Sequence, residues 1–279
     1  MASNEKMFPI LKWAGGKTQI LDKIIQNMPC KYNNYYEPFL GGASVLLNLA
    51  PNKPIFVNDI NRQLVNLYTQ LKENVEKVIQ EVNKMDSTPC NKDLYYEARK
   101  KYNDKIAKQI FDAEAAALMI WLNKHCFNGL YRVNRQGFFN VPFNNKFYGK
   151  SINENNVRVI ADYLKKSNIT ITCLDFEVIC ANVEKGDFVY FDSPYAPESV
   201  TASFTNYTFN GFSLADHERL ASLFKRLDKL GAKIMLSNND VPLIKRLYAG
   251  YNIHSFDVKR MINRDANKRF GREVIITNY

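Results

Sequence analysis

Asp192, Ser193, Pro194 and Tyr195 follow without a gap on Phe188-Val189-Tyr190-Phe191. The apolar run has the length and aromatic content of a fully buried strand. Ligands of open α/β sheets bind beyond the carboxyl ends of such strands. Pro194 confines Ser193 to extended conformations. Two acceptors then lie close together, the Asp192 carboxylate and the Ser193 backbone carbonyl, and between them they match the two hydrogens of an amino group. Tyr195 adds a face on which a planar base stacks. An amine held this way has its lone pair positioned for attack on an electrophile. A strand-ending Asp before an ordinary Pro turn is the plainer alternative.

Two further segments point to the same kind of site. EPFLGGAS, from Glu37 to Ser44, places Gly41 and Gly42 where backbone can approach a ligand closely. A strand at 55–58 then ends on Asp59, eighteen residues after Gly41, where an acid commonly binds ribose hydroxyls. KWAGGKT resembles a triphosphate-binding loop only in part: that loop requires Gly at position 11, where this chain has Leu. Trp13 and Lys17 are better read as ligand-contacting residues on a glycine loop.

The elements that must carry these residues alternate. A helix is expected near 17–27, a short strand at Tyr35-Tyr36, a helix near 43–49 and the strand 55–58. From 62 to 125 the pattern is helical, with Leu64, Leu67, Tyr68, Leu71, Val75, Val78, Ile79 and Val82 at three and four spacing and a second helical stretch over 112–124. His125 to Ser151 is rich in Asn, Gly, Arg and aromatics, and Arg135-Gln136-Gly137 reads as a hairpin turn. The α/β rhythm then returns: helix 154–166, strand NITITCLDF, strand DFVYF, helix 213–230, strand AKIMLSN, helix 240–248, and strands NIHSFDVKR and EVIITNY. Such alternation predicts a largely parallel sheet covered on both faces. The helical middle is then an insertion, giving a discontinuous domain of residues 1–61 and 156–279 around a unit of 62–155.

Composition narrows the partners. The chain has 279 residues, a formal charge of +10, 18 Phe and 16 Tyr. A basic, aromatic-rich folded chain suits a polyanion such as nucleic acid. Five Cys without a CxxC pair read as reduced thiols rather than a metal site. No signal-peptide core or membrane-length apolar run is present, so the expectation is a cytoplasmic protein with no membrane partner.

In order along the chain, LKWAGGK, YEPFLGGASV, VNDIN, NGLYRVNRQGFFNVPFN, DFVYFDSPYAP, FTNYTFNGF, MLSN and EVIITNY resemble the Dam-type family of DNA adenine-N6 methyltransferases. The resemblance covers nearly the whole chain. It implies a Rossmann-like, seven-stranded, mostly parallel sheet with an inserted target-recognition domain of helices and a β-hairpin. It implies S-adenosylmethionine as methyl donor, with Trp13, Lys17, Glu37, Pro38, Gly41, Asp59, Asp175, Phe176 and Asp192 as its contacts. It implies an adenine extruded from duplex DNA, with Asp192 and the Ser193 carbonyl holding its N6 amine, Pro194 stiffening the turn and Tyr195 stacking. Transfer is then direct, without a nucleophilic Cys or a metal.

For DNA, the resemblance implies reading of GATC. Arg132 contacts guanine through O6 and N7, Leu130 meets a thymine methyl, Phe127 and Asn128 lie near the extruded base, and Asn134 and Lys12 contact DNA. A cognate restriction endonuclease is a partner that the resemblance allows. The basic run Lys259, Arg260, Arg264, Lys268, Arg269 and Arg272 suits phosphate contacts or an exposed loop equally. Two departures stand out. Phe127 occupies a position where the family often has Tyr. The family motif Asp-Pro-Pro-Tyr is Asp-Ser-Pro-Tyr here, which keeps both acceptors and loses the fixed φ of a proline. A DNA-binding protein with weak or no catalysis is therefore the second expectation, and an RNA methyltransferase the third. The Arg132 hairpin disfavours the third, because A-form major grooves are poorly accessible to side chains.

Overall fold

A computed structural model describes residues 6–13, 15–146, 149–197, 211–259 and 270–279. Seven strands form one sheet: β1 (Tyr35–Glu37), β2 (Ile55–Asn58), β3 (Ile169–Thr172), β4 (Phe188–Phe191), β5 (Lys233–Asn239), β6 (Asn252–Lys259) and β7 (Phe270–Thr277), in the order β3-β2-β1-β4-β5-β7-β6. The first five pair in parallel, and β7 runs antiparallel to both β5 and β6. This is the mostly parallel, seven-stranded sheet expected from the sequence.

Side chains alternate along each strand, so the sheet buries two separate cores. Tyr35, Val57, Phe188, Tyr190, Met235 and Ile275 belong to one. Tyr36, Val189, Phe191, Ile234, Leu236 and Ile276 belong to the other.

The helices are α1 (Leu21–Gln26), α2 (Ser44–Leu49), α3 (Arg62–Asp86), α4 (Lys92–Ala107), α5 (Ala113–His125), α6 (Glu154–Lys166), α7 (Phe176–Ile179), α8 (Leu214–Leu230) and α9 (Pro242–Leu247). Short polar side chains start them. Asn61, Asn91, Asp112 and Asn153 each accept a backbone N–H of the first turn, and Ser213 and Asp216 form a reciprocal capping box. The eight apolar residues expected on one face of α3 are all buried, and the helix bends at Asn74, whose φ of −135° is not helical. They join the core that also holds the α5 residues and one face of the sheet. The expected boundary at 155/156 falls inside the first turn of α6.

Three expectations need correction. The helix foreseen over 17–27 is one 3-10 turn, Lys17–Gln19, followed by α1; the Lys17 N–H donates to Ser44 Oγ at 3.2 Å and so turns toward α2. The stretch 62–125 holds a separate α4, because Pro89 breaks the pattern before it. The strand foreseen to reach Phe176 stops at Thr172, since the Asp175 carboxylate accepts the Glu177 N–H and caps α7. Residues 204–210 of FTNYTFNGF, the side chain of Lys259, and Arg260, Arg264, Lys268 and Arg269 lie outside the described residues. No described helix is long and apolar enough to cross a membrane.

Candidate active site and DNA-reading surface

Between β1 and β4 the sheet order reverses, and a crevice opens there beyond the strand ends. A cleft of about 310 Å³ fills it, lined by Trp13, Lys17, Glu37, Gly41, Asp59 and the whole of Asp192 to Tyr195. Lys17 is only 3% exposed. Its Nζ lies 2.5 Å from Asp192 Oδ1, donates to the Gly15 carbonyl at 2.5 Å, and stands 4.6 Å from the centre of the Tyr195 ring. Ser237 Oγ donates to Asp192 Oδ1 at 3.1 Å. Burial pushes the Asp192 carboxyl above the ordinary carboxylate range, with the Lys17 charge pulling it back. The Tyr195 hydroxyl donates to Glu273 Oε2 at 2.9 Å, which fixes the plane of the ring.

The other acids of the cleft are held by short bonds. Glu37 accepts from the Tyr35 hydroxyl at 2.8 Å, and Asp59 accepts the Gly41 and Asn61 N–H groups, each at 2.9 Å. Asp59 thus clamps the glycine turn and keeps lone pairs for a ligand hydroxyl. Burial raises Asp59 to about 6, against the pull of the two N–H groups. The glycines themselves have a reason that the sequence did not reveal: a Cβ on Gly42 would lie 2.9 Å from Trp13 Cβ, and one on Gly41, whose φ is +51°, 3.2 Å from Trp13 Cδ1. The close approach is made by Trp13.

Burial also pushes Glu37 up to about 8. A carboxyl whose folded value exceeds its ordinary 4.5 keeps its proton while the unfolded chain releases it, so it lowers stability as pH rises through that window. Glu37→Gln is therefore expected to gain melting temperature relative to the parent between pH 5 and about 8, with the gap levelling off above. A gap that stays constant or shrinks over this range would refute the buried, protonated Glu37.

Pro38, Asp175 and Phe176 do not line the cleft. Pro38 is buried behind it, its carbonyl accepting from Asn58 Nδ2 at 3.1 Å. Asp175 pairs with Arg219 at 2.9 Å, and Phe176 reaches the cleft only through Phe39 and Phe212, which line it. Phe39, Leu40, Ile60, Asn61 and Phe212 are among the lining residues that sequence reasoning passed over. Phe39 was within reach, since it lies inside the quoted EPFLGGAS.

The residues expected to face DNA gather elsewhere. Lys12, Phe127 and Asn128 line a second cavity of about 520 Å³, together with Lys124 and Lys146. Asn123 ties them: its side chain bonds the Lys12 N–H and carbonyl and the Gly129 carbonyl. The expected hairpin turn is present, with Val133 bridged to Phe139, Gly137 at φ +82° and its N–H donating to the Asn134 carbonyl at 2.9 Å. Asn134 Oδ1 accepts the Gln136 and Phe138 N–H groups, so its carbonyl end is spent on the turn. Arg132 is exposed, and its Nε donates to Asn140 Oδ1 at 2.8 Å. Leu130 is half-buried against the core. Tyr131, between them, stacks on Trp13 at 5.1 Å.

Residues 13–262 match the model of the D12 class N6 adenine-specific DNA methyltransferases. The chain belongs to this family. A type II methyltransferase of Lactococcus lactis subsp. cremoris is 40% identical over 273 residues, 97% of this chain and 95% of its own length. One of Methanocaldococcus jannaschii is 41% identical, covering 97% and 99%. A DNA adenine methylase of Vibrio cholerae is 34% identical, covering 95% and 93%. The methyl donor of this adenine methyltransferase family is S-adenosylmethionine, and the donor set of the cleft fits it. A sulfonium finds carboxyl oxygens at Asp192 and Glu37, hydroxyls find acceptors at Asp59, and a planar base finds apolar walls in Phe39, Ile60 and Phe212. Among the described residues no group of His, Cys, Asp or Glu could hold a metal ion.

Proposed function

We propose that this adenine methyltransferase modifies N6 of adenine in GATC within duplex DNA, taking the adenine out of the helix into the cleft. The observation that carries this reading is the shared cleft: Asp192, Ser193 and Tyr195 stand with the cofactor-type residues Trp13, Lys17, Glu37, Gly41 and Asp59 around one cavity. A base within a duplex cannot reach a cleft at the strand ends, so extrusion follows from access alone.

S-adenosylmethionine, when bound, supplies an electrophilic methyl group on a sulfonium. Trp13, Lys17, Glu37, Gly41 and Asp59 would hold it, with Pro38 behind the turn and Asp175 and Phe176 backing its apolar side. Asp192 and the Ser193 carbonyl would accept the two N6 hydrogens, which fixes the amine in one orientation. Pro194 stiffens that pair, and Tyr195, braced by Glu273, would stack on the adenine ring. Lys17, 2.5 Å from Asp192 Oδ1, would favour the ionised carboxylate against its burial.

Residues 62–155 act in this reading as the recognition unit. Arg132 would read guanine, Leu130 a thymine methyl, and Lys12, Phe127, Asn128 and Asn134 would hold DNA beside the opened base. The likeness to two type II methyltransferases also suits a role beside a restriction endonuclease.

A protection assay tests the proposal. Plasmid lacking adenine methylation is incubated with protein and S-adenosylmethionine, then cut with nucleases that require GATC to be unmethylated or methylated. The expected result is a switch from the first cleavage pattern to the second. Labelled methyl entering DNA without the switch would refute GATC and leave the chemistry. No label at all would favour a DNA-binding homologue blunted at Ser193.

A further inference from the structure

We propose that Asn238 positions the amine-binding carbonyl of Ser193, doing here what a proline ring does where the motif reads Asp-Pro-Pro-Tyr. The inference rests on the reading of Asp192 and Ser193 given above.

Ser193 is 2% exposed and lacks a ring to fix its φ. A buried hydroxyl needs a partner. Asn238, fully buried near the end of β5, supplies it: Nδ2 donates to Ser193 Oγ at 3.2 Å. The orientation of the Asn238 amide is not arbitrary. Its Oδ1 accepts the Ala196 and Asn239 N–H groups, both at 2.9 Å, and two N–H donors can face only the oxygen. The nitrogen must therefore face Ser193. Asn239 Nδ2 adds a bond to the Ala196 carbonyl at 2.8 Å.

One side chain thus bonds the Ser193 hydroxyl inside the motif and the Ala196 amide just after it. Ser237, one residue earlier, bonds Asp192. The successive residues Ser237, Asn238 and Asn239 hold Asp192, Ser193 and Ala196 against the end of the sheet. The carbonyl of Ser193 lies inside this brace. A hydroxyl at 193 and an amide at 238 form a matched pair. A proline at 193 would fix the backbone by another means.

The pairing predicts losses that do not add. The full chain is assayed for single-turnover methyl transfer to unmethylated duplex at saturating S-adenosylmethionine, with cofactor affinity measured separately. Ser193→Ala and Asn238→Ala are each expected to slow transfer by about 10- to 100-fold, since small misplacements of reacting groups are costly. Cofactor affinity is expected to stay at the parent value. The double variant should be no slower than Asn238→Ala. In the Asn238→Ala background Ser193→Pro, which fixes the backbone by its ring, should restore most of the rate. Additive losses, or no rescue by Ser193→Pro, would overturn the inference. Should Asn238→Ala not fold, Ser193→Thr, which keeps the hydroxyl, must lose less rate than Ser193→Ala; equal rates overturn the inference. Asp192→Ala separates the two readings. If it transfers at the parent rate, or the parent transfers nothing, the amine-binding reading itself fails. If it is inactive while Ser193→Ala is unimpaired, only the role of Asn238 fails.

Discussion

Asp192→Ala is expected to lose methyl transfer by about 10²–10³-fold, the scale of removing one preorganised polar group from a reacting centre. The carboxylate is the only side-chain acceptor in the amine-binding pair that we propose; the other acceptor is backbone and survives. DNA affinity should hardly change, because Lys12, Phe127 and Asn128 line a different cavity and Arg132 and Asn134 lie on the hairpin. The substitution also strands Lys17, which is 3% exposed and is left beside the Gly15 carbonyl, the Tyr195 ring and the Glu37 carboxyl. Breaking a buried ion pair costs about 3–5 kcal/mol. A fall in melting temperature should therefore accompany the lost rate. Asp192→Asn keeps the shape and an oxygen for Ser237, so it separates the chemical loss from the structural one. Single-turnover rates and thermal melts on both variants check this. A variant that transfers within about tenfold of the parent would remove Asp192 from the chemistry, since that is far below the loss of a preorganised group.

Arg132→Ala carries the second large effect. A bidentate contact to guanine is worth about 1–3 kcal/mol of discrimination against another base. The variant should therefore lose selectivity at one G·C pair by about 10- to 100-fold, with other positions read as before. Its melting temperature should not move, because the side chain is exposed and, among the described residues, bonds Asn140 of the opposite hairpin arm. Asn140 takes Nε through its Oδ1 and Nη2 through its carbonyl at 3.5 Å, which holds one edge of the guanidinium. The check is kcat/KM on duplexes changed one base pair at a time. A uniform loss at every position would make Arg132 a phosphate contact instead.

Much of this arrangement was legible in local runs of residues. DFVYF gives a strand by its apolar continuity, and its end places Asp192 correctly beyond the sheet. Asp59 closes IFVN in the same way. The caps at Asn61, Asn153 and Ser213 begin α3, α6 and α8 where the periodicity starts. What was not legible is what depends on contacts between distant residues. Gly41 and Gly42 look like room for a ligand, and nothing nearby says that Trp13 fills that room. Asn238 lies 45 residues from Ser193, and Glu273 lies 78 from Tyr195. A buried Asn at a strand end shows only that it needs partners, not which ones. The end of β3 was misjudged because capping by Asp175 outweighed the β-propensity of the residues before it.

The stack of Trp13 on Tyr131 joins the two surfaces of the molecule. Trp13 lines the cleft, and Tyr131 sits between Leu130 and Arg132 of the hairpin. On the proposed reading this contact is shared by two ligand sites and obeys reciprocity: whatever factor a filled cleft adds to DNA affinity through these rings, bound DNA must add to cofactor affinity. Neither ligand can be the sole beneficiary. The size of the exchange is set by how differently the two rings stack in the loaded and unloaded protein, so at equilibrium the order in which the two arrive makes no difference.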